Sequence, residues 1–145
     1  MHRMMMTGAA LLLMGASSAP PEPVTLTIML VGLRSSEGEV RVCVFPRADG
    51  FPDCAKVEGV RRVAAPAAPE VRLTVEGLTP GAYAVSVIHD ENGNRKLDKS
   101  VVGMPTEGIG FSRNPRLIFG PPAFDKVRFD PSAEPMQAIK MRYYL

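Results

Sequence analysis

The stretch Glu39-Val40-Arg41-Val42-Cys43-Val44-Phe45 alternates strictly, with Val40, Val42 and Val44 on one side and Glu39, Arg41 and Cys43 on the other. Successive side chains of an extended chain point to opposite faces, so a period of two predicts a strand with one face in a core and one toward the surface. Upstream, Val24 to Leu33 repeats the pattern, placing Val24, Leu26, Ile28 and Leu30 opposite Thr25 and Thr27. The Ser35-Ser36-Glu37-Gly38 run turns the chain between the two. Downstream, Lys56 to Val63 is a weaker strand candidate and Ala64 to Pro69 reads as a linker-like turn. Val71, Leu73 and Val75 then alternate with Arg72, Thr74 and Glu76 in a half-buried strand.

The segment from Gly77 to Tyr83 is the strongest turn signal, because Pro80 fixes φ and Gly81 accepts a positive one. Tyr83 to His89 follows as a strand with Tyr83, Val85 and Val87 on one face. A Tyr in that place either forms a corner whose hydroxyl bonds back to the main chain or is an ordinary core aromatic. From Asp90 to Pro122 no strand pattern lasts, yet the segment holds Met104, Ile109, Phe111, Leu117, Ile118 and Phe119. Long irregular connections are usually functional or disordered, and this apolar content predicts a packed excursion over one end or edge of the fold. Phe124 to Phe129 and Met136 to Leu145 read as closing strands, with Val127, Phe129, Ile139, Met141 and Tyr143 inward. About seven short strands, with 13 Gly and 14 Pro between and around them, predict an all-β, Ig-like or transthyretin-like Greek-key sandwich with one long irregular loop.

The 145 residues suffice for one domain, and a hydrophobic share of 46% sets the chain apart from disordered sequences. Residues 1–19 read as a signal peptide: His2 and Arg3 give a weakly basic start, Met4 to Met14 is largely apolar, and Gly15 to Ala19 are small. Pro20 and Pro21 disfavour cleavage directly after Ala19 and point to Ser17 or Ser18. The apolar run is shorter than the roughly 20 residues that cross a bilayer. Residues 20–145 are then the sandwich, expected in the periplasm or secreted, with no membrane span after cleavage. In that oxidising setting Cys43 and Cys54 are expected to form a disulfide. Two Cys without a neighbouring His make a poor zinc set. The charge balance, 17 Lys and Arg against 15 Asp and Glu, argues against nucleic acid as a partner.

The one dense polar cluster is His89-Asp90-Glu91-Asn92-Gly93-Asn94-Arg95-Lys96-Leu97-Asp98. Hard cations need several oxygens converging from one tight loop, and Asp90, Asn92, Asn94 and Asp98, with the main-chain carbonyl of Lys96, have the spacing that opens a calcium loop. Two positions depart from an EF-hand: Arg95 stands where Gly is wanted and Val101 where a bidentate Glu is wanted. Glu91 or Glu107 could add a further carboxylate. Any calcium site is therefore expected to be weak. The alternative is a rigid turn, since Asn92-Gly93 favours one and Asp and Asn side chains bond their own backbone. No catalytic residues stand out. His89 is the only histidine beyond residue 19, its neighbour Asp90 points to the opposite face of a strand, and neither Ser86 nor Ser112 lies in a nucleophile elbow. An acidic pair such as Asp90 with Glu107 is the one arrangement a hydrolase could use.

The ordered series Gly77-Leu78, Pro80-Gly81-Ala82-Tyr83-Ala84-Val85, His89 to Asn94, Lys96-Leu97-Asp98, Gly103-Met104-Pro105, Glu107 to Ser112, Gly120-Pro121-Pro122 and Phe124 resembles domain-of-unknown-function family 2141. The resemblance runs from about Val24 to the C-terminus. It implies an exported bacterial β-sandwich and supplies no activity. Members usually carry Gly where Arg95 stands. It also implies that the loop from His89 to Asn94 and the Gly108-Ile109-Gly110-Phe111-Ser112 segment pack together at one end of the sandwich. Three roles stay open: an envelope or extracellular binding module with the excursion as its surface, a purely structural envelope protein, or a small hydrolase. Exposure of Phe111 or Phe119 would favour binding, burial of both would favour structure, and an acidic pair facing a deep cleft would favour the enzyme.

Overall fold

A computed structural model describes residues 14–118 and 120–145. The targeting segment, residues 1–19, lies mostly outside them, as does Phe119. The chain forms a two-sheet β-sandwich, as its alternation predicts. The strands are β1 (Val24–Val31), β2 (Glu39–Phe45), β3 (Arg61–Pro66), β4 (Glu70–Leu78), β5 (Ala84–Asp90), β6 (Gly108–Phe111) and β7 (Met136–Lys140). One sheet has the order β4-β1-β7 and the other β3-β2-β5-β6. All neighbours are antiparallel except β1 and β7.

The alternating residues do what their pattern requires. Leu26, Ile28 and Leu30 of β1, Val40, Val42 and Val44 of β2, and Val85 and Val87 of β5 meet Val71, Val75, Ile139 and Met141 in one core between the sheets. The β5 strand is buried along nearly all its length, because its sheet is covered on its outer side too. There Phe51 sits edge-on to Phe45, Phe111 and Phe124, with ring centroids 5.0, 6.1 and 5.9 Å away. This second layer comes from the 109–127 region and from the loop between β2 and β3. Ser112 ties the layer down: its hydroxyl donates to the Val127 carbonyl and accepts from the Val85 N–H.

Several element readings are corrected. Residues 124–127 are one helical turn, α1 (Phe124–Val127), not a strand. Pro121 and Pro122 lead into it; Val127 is buried in the outer layer, Phe129 in the core between the sheets, and Phe129 alone bridges Tyr83. The excursion does contain a strand, β6, which is too short and glycine-rich to show a period. The third strand runs into Pro66 rather than starting at Lys56, where Cys54–Lys56 form a 3-10 turn. The last strand ends at Lys140, with Met141 and Tyr143 continuing inward without a ladder. The Tyr83 hydroxyl accepts from the Thr79 N–H at 3.3 Å, the corner arrangement.

Cys43 and Cys54 are joined across 11 residues. The bridge holds a loop whose Val57 and Val60 pack on buried Phe45. By loop-closure entropy, replacing both Cys by Ser should cost roughly 3 kcal/mol and lower the thermal midpoint by about 10 °C. Thermal unfolding of the double variant, monitored by circular dichroism, checks this; an unchanged midpoint would contradict it.

Candidate functional site

The polar loop leaves the end of β5. There Glu39 pairs with Asp90 and Val40 with His89, so the loop starts against the first residues of β2. Gly38, at φ +67, lies so close to it that a Cβ there would come within 2.0 Å of the Asp90 carbonyl oxygen. His89 and Asp90 point to opposite sides of the strand and both are fully buried. His89 is held at both nitrogens, by the Tyr143 hydroxyl at 2.7 Å and the Glu37 carbonyl at 2.8 Å. A carbonyl only accepts, so Nε2 carries a proton, and in the neutral ring Nδ1 accepts from Tyr143. Such a histidine is a fixture of the fold.

Asp90 winds the loop. Its Oδ1 accepts the Asn94 N–H at 3.2 Å and its Oδ2 the Arg95 N–H at 2.7 Å. The Asn92 side-chain oxygen accepts the Asn94 N–H, and that of Asn94 accepts the Lys96 N–H. This succession of Asx turns forces a tight coil. Arg95 sits in it at φ 64, the left-handed conformation that glycine adopts more readily. The missing glycine has therefore not changed the path of the loop.

Asp98 is the focus. Its carboxylate accepts the Asn92 amide at 2.6 Å and the Asn94 amide at 2.7 and 2.8 Å. Beyond it a small hairpin leaves and returns: Lys99 bridges Pro105, Ser100 N–H donates to the Met104 carbonyl, and Thr106 N–H donates to the Asp98 carbonyl. The hairpin delivers Glu107 beside Asp98, near enough for each carboxyl to shift the other. Glu107 is only 5% exposed, and its Oε2 has no hydrogen-bond partner. Burial, and then the facing Asp98, push the Glu107 carboxyl up to about 8. Asp98 is lowered by its nearness to Glu107 and by Asn94 and Asn92. Two carboxylates offer each other only lone pairs, so their proximity favours a proton held on one of them.

Four of the five residues expected to hold an ion, Asp90, Asn92, Asn94 and Asp98, thus share one hydrogen-bonded loop, in which Lys96 takes part through its main-chain N–H. Asp90 spends both oxygens on main-chain N–H groups. Among the described residues no three His, Cys, Asp or Glu side chains gather as a metal cluster. Glu91 is elsewhere: it pairs with Arg34 at 2.5 Å and accepts from the Ser35 hydroxyl. These bonds lower its carboxyl, Arg34 first. The Arg34 guanidinium also stacks over Tyr143, 4.6 Å from the ring centroid, and donates to the Thr106 carbonyl. This clamp escaped sequence reasoning, because its members are up to 109 residues apart. Of the two further carboxylates the sequence offered to the loop, Glu107 is the one brought beside Asp98.

The loop and the segment from Gly108 to Phe111 do form one unit, since His89 pairs with Gly108 and Ile88 with Ile109. Phe111 is buried. A shallow concavity beside the loop, lined by Gly38, Glu39, Ala64, Ala65, Pro66, Gly93 and Arg95, does not include the acidic pair. No helix among the described residues is long and apolar enough to cross a membrane. A family profile matches residues 28–139, that of domain-of-unknown-function family 2141, described as an uncharacterized protein conserved in bacteria. No curated protein and no solved structure matches the chain.

Proposed function

The chain belongs to this uncharacterized bacterial family, and we propose that it acts outside the cytoplasm as a β-sandwich module whose loop from Asp90 to Glu107 is ordered by a weakly held calcium ion. The observation that carries the reading is the approach of Glu107 to Asp98, with the Glu107 Oε2 buried and unpartnered. The EF-hand pattern wants a bidentate Glu where Val101 stands, and the hairpin brings Glu107 to the loop instead. Carboxylate oxygens of Asp98 and Glu107 would be the charged ligands. Half-turns of the Asn92 and Asn94 amides would turn their oxygens toward the same point, at the cost of the Asx bonds to Asn94 and Lys96. That cost, and only two well-placed carboxylates, agree with a dissociation constant of about 0.1–1 mM, the class of extracellular modules. The N-terminal sequence and the disulfide support the export reading.

A second reading, a rigid turn in a structural envelope protein, is favoured by Asp90, whose carboxylate is fully used by the Asn94 and Arg95 N–H groups. Thermal unfolding of residues 20–145 separates the two. Calcium at 100-fold its dissociation constant should stabilise by about 2.7 kcal/mol, raising the midpoint by about 10 °C over chelator. Glu107→Gln should keep the fold and lose the shift. Equal midpoints in calcium and chelator would leave the loop as a turn.

A further inference from the structure

The hairpin beyond Asp98 has no packing role at its tip. Its ends are tied by the Lys99–Pro105 bridge, and the Ser100 carbonyl accepts the Gly103 N–H at 2.9 Å, so the tip is a defined turn. Val101 and Val102 at the summit are 106% and 77% exposed, and Met104 is 40% exposed. In a chain whose other valines are mostly buried, two adjacent ones at the end of a turn are costly in water. Arg95, Lys96 and Lys99 lie in the adjoining chain, all exposed, and none forms an ion pair among the described residues. The one acid between Arg95 and Met104, Asp98, is turned onto the Asn92 and Asn94 amides.

We infer that this tip docks on an anionic phospholipid surface, with Val101, Val102 and Met104 entering the headgroup boundary and Arg95, Lys96 and Lys99 facing the lipid phosphates. An apolar tip preceded in the chain by exposed cations is an arrangement that combines apolar burial with attraction to anionic lipid. An anionic bilayer supplies both at once, phosphates for the three cations and an apolar interior for the valines. The inference goes beyond the calcium reading and does not need the ion.

The test is co-sedimentation of residues 20–145 with vesicles of 30 mol% phosphatidylglycerol in phosphatidylcholine and with pure phosphatidylcholine, in chelator, with one parallel series in calcium. Binding is expected on the anionic vesicles and at most trace binding on the neutral ones. A Lys96→Gln, Lys99→Gln double variant should bind about 25-fold more weakly, at roughly fivefold per cation. Val101→Asp should abolish binding while leaving the thermal midpoint unchanged, which shows that it folds. The chain has no Trp, so Val102→Trp reports depth, and its emission should shift to the blue and be quenched by brominated lipid on anionic vesicles. Absence of binding, equal binding to neutral vesicles, binding without quenching, or binding that appears only when calcium is added would each overturn the inference. The last would assign the contact to an ion bridge at the loop.

Discussion

Gly38→Ala is expected to destabilise the domain by about 2–5 kcal/mol, enough to remove much of the stability of a domain this size. Two costs add. The residue sits at φ +67, where an L side chain costs roughly 1–2 kcal/mol. Its Cβ would also stand 2.0 Å from the Asp90 carbonyl oxygen and 2.8 Å from the Glu91 Cα. Both are main-chain atoms at the end of β5, so no rotamer relieves the clash and the strand end must move. Gly93→Ala separates the two costs, since Gly93 is at φ +72 with nothing within 4 Å of its would-be Cβ. It should lose only about 1–2 kcal/mol. Urea unfolding of both variants is the measurement. Equal losses would show that the close approach at Gly38 contributes nothing. A moved Asp90 also displaces the N–H acceptors that wind the loop, so Gly38→Ala should weaken the calcium response in step.

The same contact shows where sequence reading reaches its limit. Strands with one clean face, such as 39–45 and 24–31, were legible because burial of alternate residues is written into the chain itself. β6 was not, because Gly108 and Gly110 are chosen for what lies over them: a Cβ on Gly108 would meet the Tyr143 ring at 2.4 Å. The helical turn at 124–127 imitated a strand because Val127 and Phe129 are buried either way. The loop was legible as a set of oxygens, since Asp90, Asn92, Asn94 and Asp98 are spaced for a coil. Its closure was not, because Glu107 reaches Asp98 only through a hairpin whose register no local pattern sets. The same holds for His89, whose partners Tyr143 and Glu37 are 54 and 52 residues away.

Calcium affinity should rise about 50-fold between pH 6 and pH 8, because the ion must displace a proton held at about 8. The proton sits on Glu107, where burial, then Asp98, Asp90 and Glu91, disfavour the carboxylate. The Arg34 guanidinium is the cation near enough to oppose them. Asp98 is lowered and stays ionised throughout this range, so one proton accounts for the effect. In the ion-free protein the sign is the reverse of the usual carboxylate case. The unfolded chain releases the Glu107 proton near 4.5, whereas the native state keeps it to about 8, so the native state binds more protons between those values. The Glu107 contribution is fully present below 4.5 and is lost as the pH rises to about 8. Calcium opposes that loss, so the gap between calcium and chelator midpoints should widen with pH. Calorimetric titration at pH 6, 7 and 8 in two buffers of different ionisation enthalpy checks this, with about one proton released per ion at pH 6. Glu107→Gln should lose the calcium response and, in chelator, flatten the change of stability with pH. Calcium binding that is independent of pH and releases no proton would place the ion away from the Asp98–Glu107 pair and leave that pair with a proton alone.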